Sequence, residues 1–396
     1  MTIERLSAFV LIAAFGAMQF SIAAGQILLG LAALGWLFTL FQSRGADRWL
    51  VPAFFTPLAL YAVWTLVATV FSRDPGESLR GNKELLLLLV VPMTMRLLRG
   101  EWPARALDVI ISVGALVALV GVFQYALFDY DTLGQRPQGT LGHYMTYSGV
   151  LMLLVCATAA RLLYEPGRRI WPALIMPALI VALAATLSRN AYVGALVGVA
   201  VLLVLRDFRL LALLPVAVAG IVLLAPSHVV DRAYSMFNLK DPSNRDRIAM
   251  AQAGVAMIDD EPVTGIGPDM VDRVYPQYRT NDAVNIEVAH LHNVPLQIAA
   301  ERGLPALGFW IWFVIVAARD LLRKVRQERT AAAAAGLAAL AAMVTAGMFE
   351  YNFGDSEFLV PLLALLTLPF ALRVGLSGVE GLAPSEVEGL AQREPV

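Results

Sequence analysis

Charge is scarce in this chain of 396 residues. Asp, Glu, Lys and Arg together make up 15%, against 58% hydrophobic residues, and the mean hydropathy is +0.67. A soluble globule of this size would lack the polar residues to cover its surface, and a disordered chain would be far poorer in apolar ones. The net charge of −1 offers no electrostatic attraction to nucleic acid. Cysteine is almost absent. Cys156 stands alone in an apolar run, which excludes an internal disulfide framework and any Cys-rich zinc or iron–sulfur site. Histidine is also rare, and a His/carboxylate ion site would have to use His290 and His292, one residue apart; no metal and no other cofactor is expected. There is no G-x-G-x-x-G after a strand, no P-loop, no H-E-x-x-H and no G-x-S-x-G, and Gly265-Ile266-Gly267 alone makes no nucleotide site. What remains is a membrane protein.

What the chain does have is long apolar runs. A spanning helix needs about 20 mostly apolar residues, about 17 at the short end. Candidates lie near 6–22, 23–41, 51–71, 84–98, 107–128, 143–163, 171–187, 190–205, 208–225, 294–318, 331–349 and 357–374. The expected fold is therefore an all-α polytopic membrane protein of about twelve spans. The opening segment runs straight into a second hydrophobic helix and does not read as a cleaved signal. With the N-terminus inside, the inner loops and ends hold 18 Lys and Arg, among them Arg5, Arg44, Arg48, Arg96, Arg161, Arg319, Lys324, Arg373 and Arg393; the short outer loops hold five, Arg73, Arg80, Lys83, Arg136 and Arg189. Positive-inside bias then puts both termini in the cytoplasm of a bacterial plasma membrane.

Residues 226–293 break the pattern. They form a long polar stretch on the outer side between the ninth and tenth spans, too long for a structureless loop, so short helices and a functional surface are expected there. Asp241-Pro242-Ser243-Asn244 reads as a helix start, and Ile248, Ala251, Val255 and Ile258 continue at helical spacing until Glu261-Pro262 stops them. Gly265-Ile266-Gly267-Pro268 is a turn. A second short helix is expected from Asn293, with Pro295 in its first turn and Gly303 just past its end. The organisation is thus spans one to nine over 1–225, the polar region over 226–293, three further spans over 294–375 and a cytoplasmic tail over 376–396.

The polar residues that could do chemistry collect on the outer face. All four histidines fall there: His143, His228, His290 and His292. An interfacial histidine can simply satisfy loop hydrogen bonds. The helix beginning at Asn293, however, points its positive dipole end at His290 and His292, which favours a neutral imidazole suited to general-base work. Arg189 occupies a tight outer junction, Leu187-Ser188-Arg189-Asn190, where a snorkelling arginine is the bland alternative. Arg245 and Arg247 sit in the first turn of the loop helix, where a cation opposes the dipole; a solvated face is possible, but a shared anion explains them better. Arg136 is a further outer cation. Guanidinium forks beside a neutral histidine suit a lipid-linked diphosphate at the membrane interface. They bind phosphate oxygens bidentately and neutralise a departing diphosphate without a metal, while the base takes the proton of an attacking sugar hydroxyl.

The segments RPQGTLGHYMTYSG (136–149), LSRNAYVG (187–194), NRDRIAMAQAGVAMIDDEPVTGIGP (244–268) and HLHNVPLQIAAERGLPALGFW (290–310) resemble those of the O-antigen ligase and polymerase superfamily. The last is the most specific, His-Asn-x-x-Leu-Gln followed by Glu-x-Gly and a spanning helix. The resemblance covers roughly 130–310 by motif and the whole chain by span pattern. It implies a Gram-negative inner-membrane glycosyltransferase working at the periplasmic face on an undecaprenyl-diphosphate-linked O-antigen donor. In the ligases the acceptor is a sugar of lipid A–core oligosaccharide, and the product is lipopolysaccharide. The resemblance implies diphosphate-binding roles for Arg189 and Arg247 and the catalytic role for His292. Arg245 can replace Arg247 in this pattern, and His290 can share or take the role of His292. A polymerase would use the same donor and join glycan to glycan; a protein O-glycosylating ligase would transfer to Ser or Thr. From a different class, a transporter of lipid-linked sugars would need polar groups deep in the spans and an internal repeat, and the mid-span regions here are almost entirely apolar.

Overall fold

The structure, a computed structural model, describes residues 2–42, 51–281 and 283–371, and all regular structure among them is helical. The tail at 376–396 and Arg44, Arg48, Arg373 and Arg393 lie outside the described residues. In chain order the first helices are α1 (Ile3–Ala17), α2 (Ile22–Gln42) and α3 (Phe55–Val70). The run expected to span at 84–98 does not form one helix. It is preceded by α4 (Pro75–Gly81), its first half is a 3₁₀ segment, Asn82–Leu89, and only Val90–Leu97 returns to α-helix as α5. The reason is polar: Asn82 donates to Thr69 Oγ1 at 2.6 Å, and Glu84 turns into a small cavity with Arg302 and Tyr351. Helices α6 (Trp102–Leu127), α7 (Tyr144–Tyr164), α8 (Ile170–Ala185), α9 (Arg189–Arg206) and α10 (Leu213–Leu224) follow, each on an expected run.

The polar region holds three helices, α11 (Ser227–Tyr234), α12 (Pro242–Asp260) and α13 (Val271–Tyr278). The last three are α14 (Val294–Glu328), α15 (Ala331–Ala346) and α16 (Ser356–Ala371). Among the described residues α2, α6, α7, α9 and α14 are long and apolar enough to cross a membrane, and five shorter apolar helices accompany them. The chain is a membrane protein.

Small residues allow its centre to close. α7, α15 and α16 are buried nearly throughout, and α15 packs on α7, α9 and α16. The alanines of α15 let backbones approach, so that a side chain at Gly198 would meet the Ala338 carbonyl at 2.9 Å. At the end away from the polar region, buried Arg161 pairs with Asp108 and Glu165 and ties α6 to α7.

The polar region has a core of its own: Met250, Ala253 and Met257 of α12 pack with Ile266, Met270, Val271, Val274 and Tyr275. α12 begins where the sequence places it. Asp241 caps it by accepting from Ser243 N at 3.1 Å, and Glu261 ends it. α14 also begins at its expected cap, Asn293, whose side chain accepts from Leu296 N at 2.9 Å. It breaks at Gly303, where φ is 78°. The break docks the polar region onto the bundle: Ile266 N donates to Ala300 O, Gly267 N to Glu301 O and Leu304 N to Pro262 O. A Cβ at Gly303 would lie 1.9 Å from Val263 O, so only glycine fits.

Gly303→Ala should therefore destabilise the protein by about 1–3 kcal/mol, the cost of a strained backbone position, with the added clash raising it. Gly308→Ala, in the same helix with open space around it, should be neutral or stabilising. Thermal melts of the two purified variants check this; equal melting temperatures would count against the docking role of the break.

Candidate active site

Four helix N-termini converge where the polar region meets the bundle. Tyr144 opens α7, Arg189 opens α9, Pro242 and Ser243 open α12, and His292 precedes the cap of α14; all line one cavity of about 320 Å³. Each N-terminus points the positive end of a helix dipole at the cavity, which favours an anion there. Four guanidiniums line it as well: Arg136, Arg189, Arg232 and Arg247.

The arginines are held differently. Arg189 is fixed from three sides, donating to Ser235 Oγ at 3.0 Å, Asn244 Oδ1 at 2.8 Å and Asp241 Oδ1 at 3.4 Å. Asn244 is locked in turn by its own bonds to the carbonyls of Ser235, Met236 and Asn238. Arg247 is the freest: its one hydrogen bond runs to Ser243 Oγ at 3.3 Å, and its buried Nε has no protein partner. Arg136 stacks its guanidinium on Tyr144, 4.1 Å from the ring centroid. Asp246, also on the cavity wall, accepts from Asn285 N at 3.0 Å and from the Asn285 side chain, which fixes the return loop to α12. Arg245 is exposed and does not reach the cavity. Of the two arginines that spacing left open, the cavity is lined by Arg247.

His292 lies on the same wall with φ of 50°, a left-handed conformation that costs a non-glycine residue about 1 kcal/mol or more. Its neighbours hold it there. Asn293 Nδ2 donates to Met348 O at 2.9 Å, Val294 N donates to Gly347 O at 2.6 Å, and His292 Nδ1 lies 2.8 Å from Glu350 Oε2. Glu350 is 2% exposed and stands between α15 and α16. Burial pushes its carboxyl up, but His292, by charge and by hydrogen bond, with His290 and Arg247, outweighs that and holds it at about 2. An ionised carboxylate only accepts, so Nδ1 carries a hydrogen, and in the neutral imidazole the lone pair falls on Nε2. The helix dipole considered from the sequence is thus joined by a local contact that fixes the tautomer.

His290 crosses the His292 ring edge-on, 4.3 Å between centroids, with Nε2 3.6 Å from Glu350 Oε1. Burial, partly opposed by Glu350, pushes its pKa down to about 4, so it is neutral at pH 7. His290 supports the pair and does not line the cavity.

Glu350 completes what the sequence offered only in part as an ion site. One ligand atom each from His290, His292 and Glu350 lie within 4.8 Å of one another, a set that suits a divalent ion. The surrounding charge argues the other way, since Arg247, Arg189, Arg136 and Arg232 share the cavity with His292. The field there favours an anion.

Two residues that the structure brings to this site were not marked by the sequence. Glu350 lies 58 positions from its partner; its one signal is an acid in a short connection between two apolar helices. Arg232 sits in α11 with no motif around it.

A family model described as O-antigen ligase matches residues 173–311. Over that interval the chain is similar to this family, and the interval holds Arg189, Arg232, Arg247, His290 and His292, while Arg136 and Glu350 fall outside it. The match supports a ligase- or polymerase-type transferase acting on lipid-linked polysaccharide. A search of curated proteins found no match.

Acid should expose the cost of a neutral buried His290. Its pKa is about 4 when folded and 6.5 in the unfolded chain, so the unfolded state binds the extra proton first. The corresponding stability is present above pH 6.5 and lost as pH falls toward 4. Melting temperature should drop over that window more steeply in the wild type than in His290→Gln. Parallel curves would refute the assignment.

Proposed function

We propose that this protein is an O-antigen ligase of the Gram-negative inner membrane, transferring glycan from undecaprenyl diphosphate to a sugar of lipid A–core oligosaccharide at the periplasmic face. One observation carries the reading: a single cavity lined by four guanidiniums and by a histidine whose Nδ1 is engaged by a buried carboxylate. Arg189 and Arg247 take the donor diphosphate, and the cavity's helix N-termini add their partial charges. His292 Nε2 accepts the proton of the acceptor hydroxyl as that oxygen attacks the anomeric carbon. The bond from that carbon to the diphosphate oxygen breaks, and its electron pair leaves with the diphosphate. Attack and departure on opposite sides invert the anomeric configuration. Glu350 keeps the imidazole in the accepting tautomer and stabilises it once protonated, as the acid of a hydrolase triad does. The arginines neutralise the leaving group, so the transfer as proposed needs no metal.

Reconstitution with lipid A–core and lipid-linked O-antigen, without nucleotide or divalent ion, tests the reading. A ladder on the acceptor is expected. Chain growth on the lipid-linked donor would favour the polymerase, and movement of donor without new glycosidic bonds would favour a transporter. In that assay Arg189→Ala and Arg247→Ala should abolish transfer, with Lys restoring it only in part because a point charge lacks the bidentate fork. His292→Gln should lower turnover about 10²–10⁴-fold while donor binding survives, since glutamine orients a hydroxyl but takes no proton. Near-normal turnover, or retention of configuration, would sink the base-catalysed displacement.

The topological half of the proposal places residues 226–293 outside. Cysteines introduced at exposed positions of α12 should react with an impermeant thiol reagent from the periplasm, and those between 319 and 329 should not. The reverse pattern would overturn the orientation.

A further inference from the structure

Arg232 stands in a place that folding alone does not explain. It belongs to α11, the first helix of the polar region, and its guanidinium lines the cavity beside Arg189, Arg247 and Arg136. Its side chain is 11% exposed. Its neighbours hold it loosely: Nε donates to Leu187 O at 3.4 Å, and Nη1 to Ser235 Oγ at 3.4 Å and to Asp241 Oδ2 at 3.5 Å. Each bond is at the long limit, where interaction energy is small, and none uses Nη2. By contrast Arg189, on the other oxygen of the same Asp241, has bonds of 2.8 and 3.0 Å to its remaining partners.

The cationic neighbours make the position costly. Burial is the first influence lowering the pKa of both Arg136 and Arg247, and in each case the charge of Arg232 lowers it further. A stability role would be served better by a neutral donor to Asp241. A partly buried cation with free donors, set among three others at the mouths of helix N-termini, is favourable only when an anion of more than one charge is shared among them.

We infer that Arg232 is a third diphosphate-binding residue, its free Nη2 edge closing on the phosphate oxygens that Arg189 and Arg247 hold. This rests on the diphosphate-donor reading given above and deepens it. When the bond from the anomeric carbon to oxygen breaks, the diphosphate passes from two negative charges to three. A third guanidinium therefore matters more for the departing diphosphate than for the intact donor, and its loss lowers kcat as well as affinity. Asp241 has the opposite role. It shares its charge between Arg189 and Arg232 and caps α12, and so holds both forks in place while weakening their grip on an anion.

The opposite signs of the two residues provide the test. Binding of inorganic diphosphate to the full-length purified protein is measured by calorimetry for the wild type, Arg232→Ala, Arg232→Lys and Asp241→Asn. Asparagine keeps the cap and the acceptor oxygen but removes the charge. Arg232→Ala should weaken binding about tenfold or more, the usual value of a charge-assisted hydrogen bond, with Lys intermediate. Asp241→Asn should bind as tightly as the wild type or more tightly. Unchanged binding in Arg232→Ala overturns the inference and leaves the donor reading standing. Equal weakening in Arg232→Ala and Asp241→Asn also overturns it, because Arg232 would then act only by holding Asp241. If the wild type takes no diphosphate while lipid-linked donor is still turned over, the inference fails; if it takes none and turns over no donor, the donor reading fails with it.

Discussion

The site depends on one buried carboxylate. Glu350 lies beneath two imidazoles with 2% of its surface exposed. An ionised group at that depth must be compensated, or it becomes protonated. Its compensation comes from His292 Nδ1 at 2.8 Å, from Tyr351 N at 3.1 Å and from the charge of Arg247. A second carboxyl five residues on shows the rule from the other side. Burial, and then the charge of Glu350, push Asp355 up to about 8, so it stays protonated at neutral pH. Two ionised acids cannot share such a place. The one held ionised is the one that faces the histidine, and that contact sets which imidazole nitrogen is available to a substrate.

The cavity's cations follow a compatible logic. Arg189 is at the first position of α9, where it opposes the dipole of its own helix, and Arg247 follows in the second turn of α12, half-buried beside it on the cavity wall. Such placement weakens the fold slightly and gains only if an anion is held. A membrane setting sharpens the point, because irregular backbone and unpaired charge are tolerated there only where they are buried in protein or line an aqueous cavity. The turn at Leu187 and His292, just ahead of α14, both line that cavity.

What the sequence made legible was local. Asp241-Pro242 and Asn293-Val294-Pro295 are helix starts because of side-chain capping and proline's fixed φ, and Gly303 is a break because a positive φ excludes other residues; each appears where its chemistry places it. The arginines and His292 were legible because a motif and an unfavourable dipole position marked them. Glu350 and Arg232 were not, since each matters only through partners brought close by tertiary packing. The run at 84–98 misled for a similar reason. Its leucines satisfy a hydropathy window, but Asn82 and Glu84 are drawn to Thr69 and to the cavity of Arg302, contacts invisible in a periodicity.

Strain points to the same place as charge. Of the non-glycine residues with positive φ among the described residues, Leu187 and His292 line the cavity, at 54° and 50°. Leu187 has no polar side chain to stabilise that conformation, yet its carbonyl accepts from Arg232 and its turn delivers Arg189 to the wall. His292 is held by the bonds that tie the start of α14 to residues 347–350. In both, neighbouring contacts over-determine a backbone that neither residue would choose alone, which is how a site keeps reacting groups in position before a substrate arrives. In the transfer proposed above, the strained turn aims the guanidinium that would grip the leaving group, and the strained histidine aims the nitrogen that would take the proton. The two halves of the proposed displacement are thus set by two separate backbone distortions on one wall.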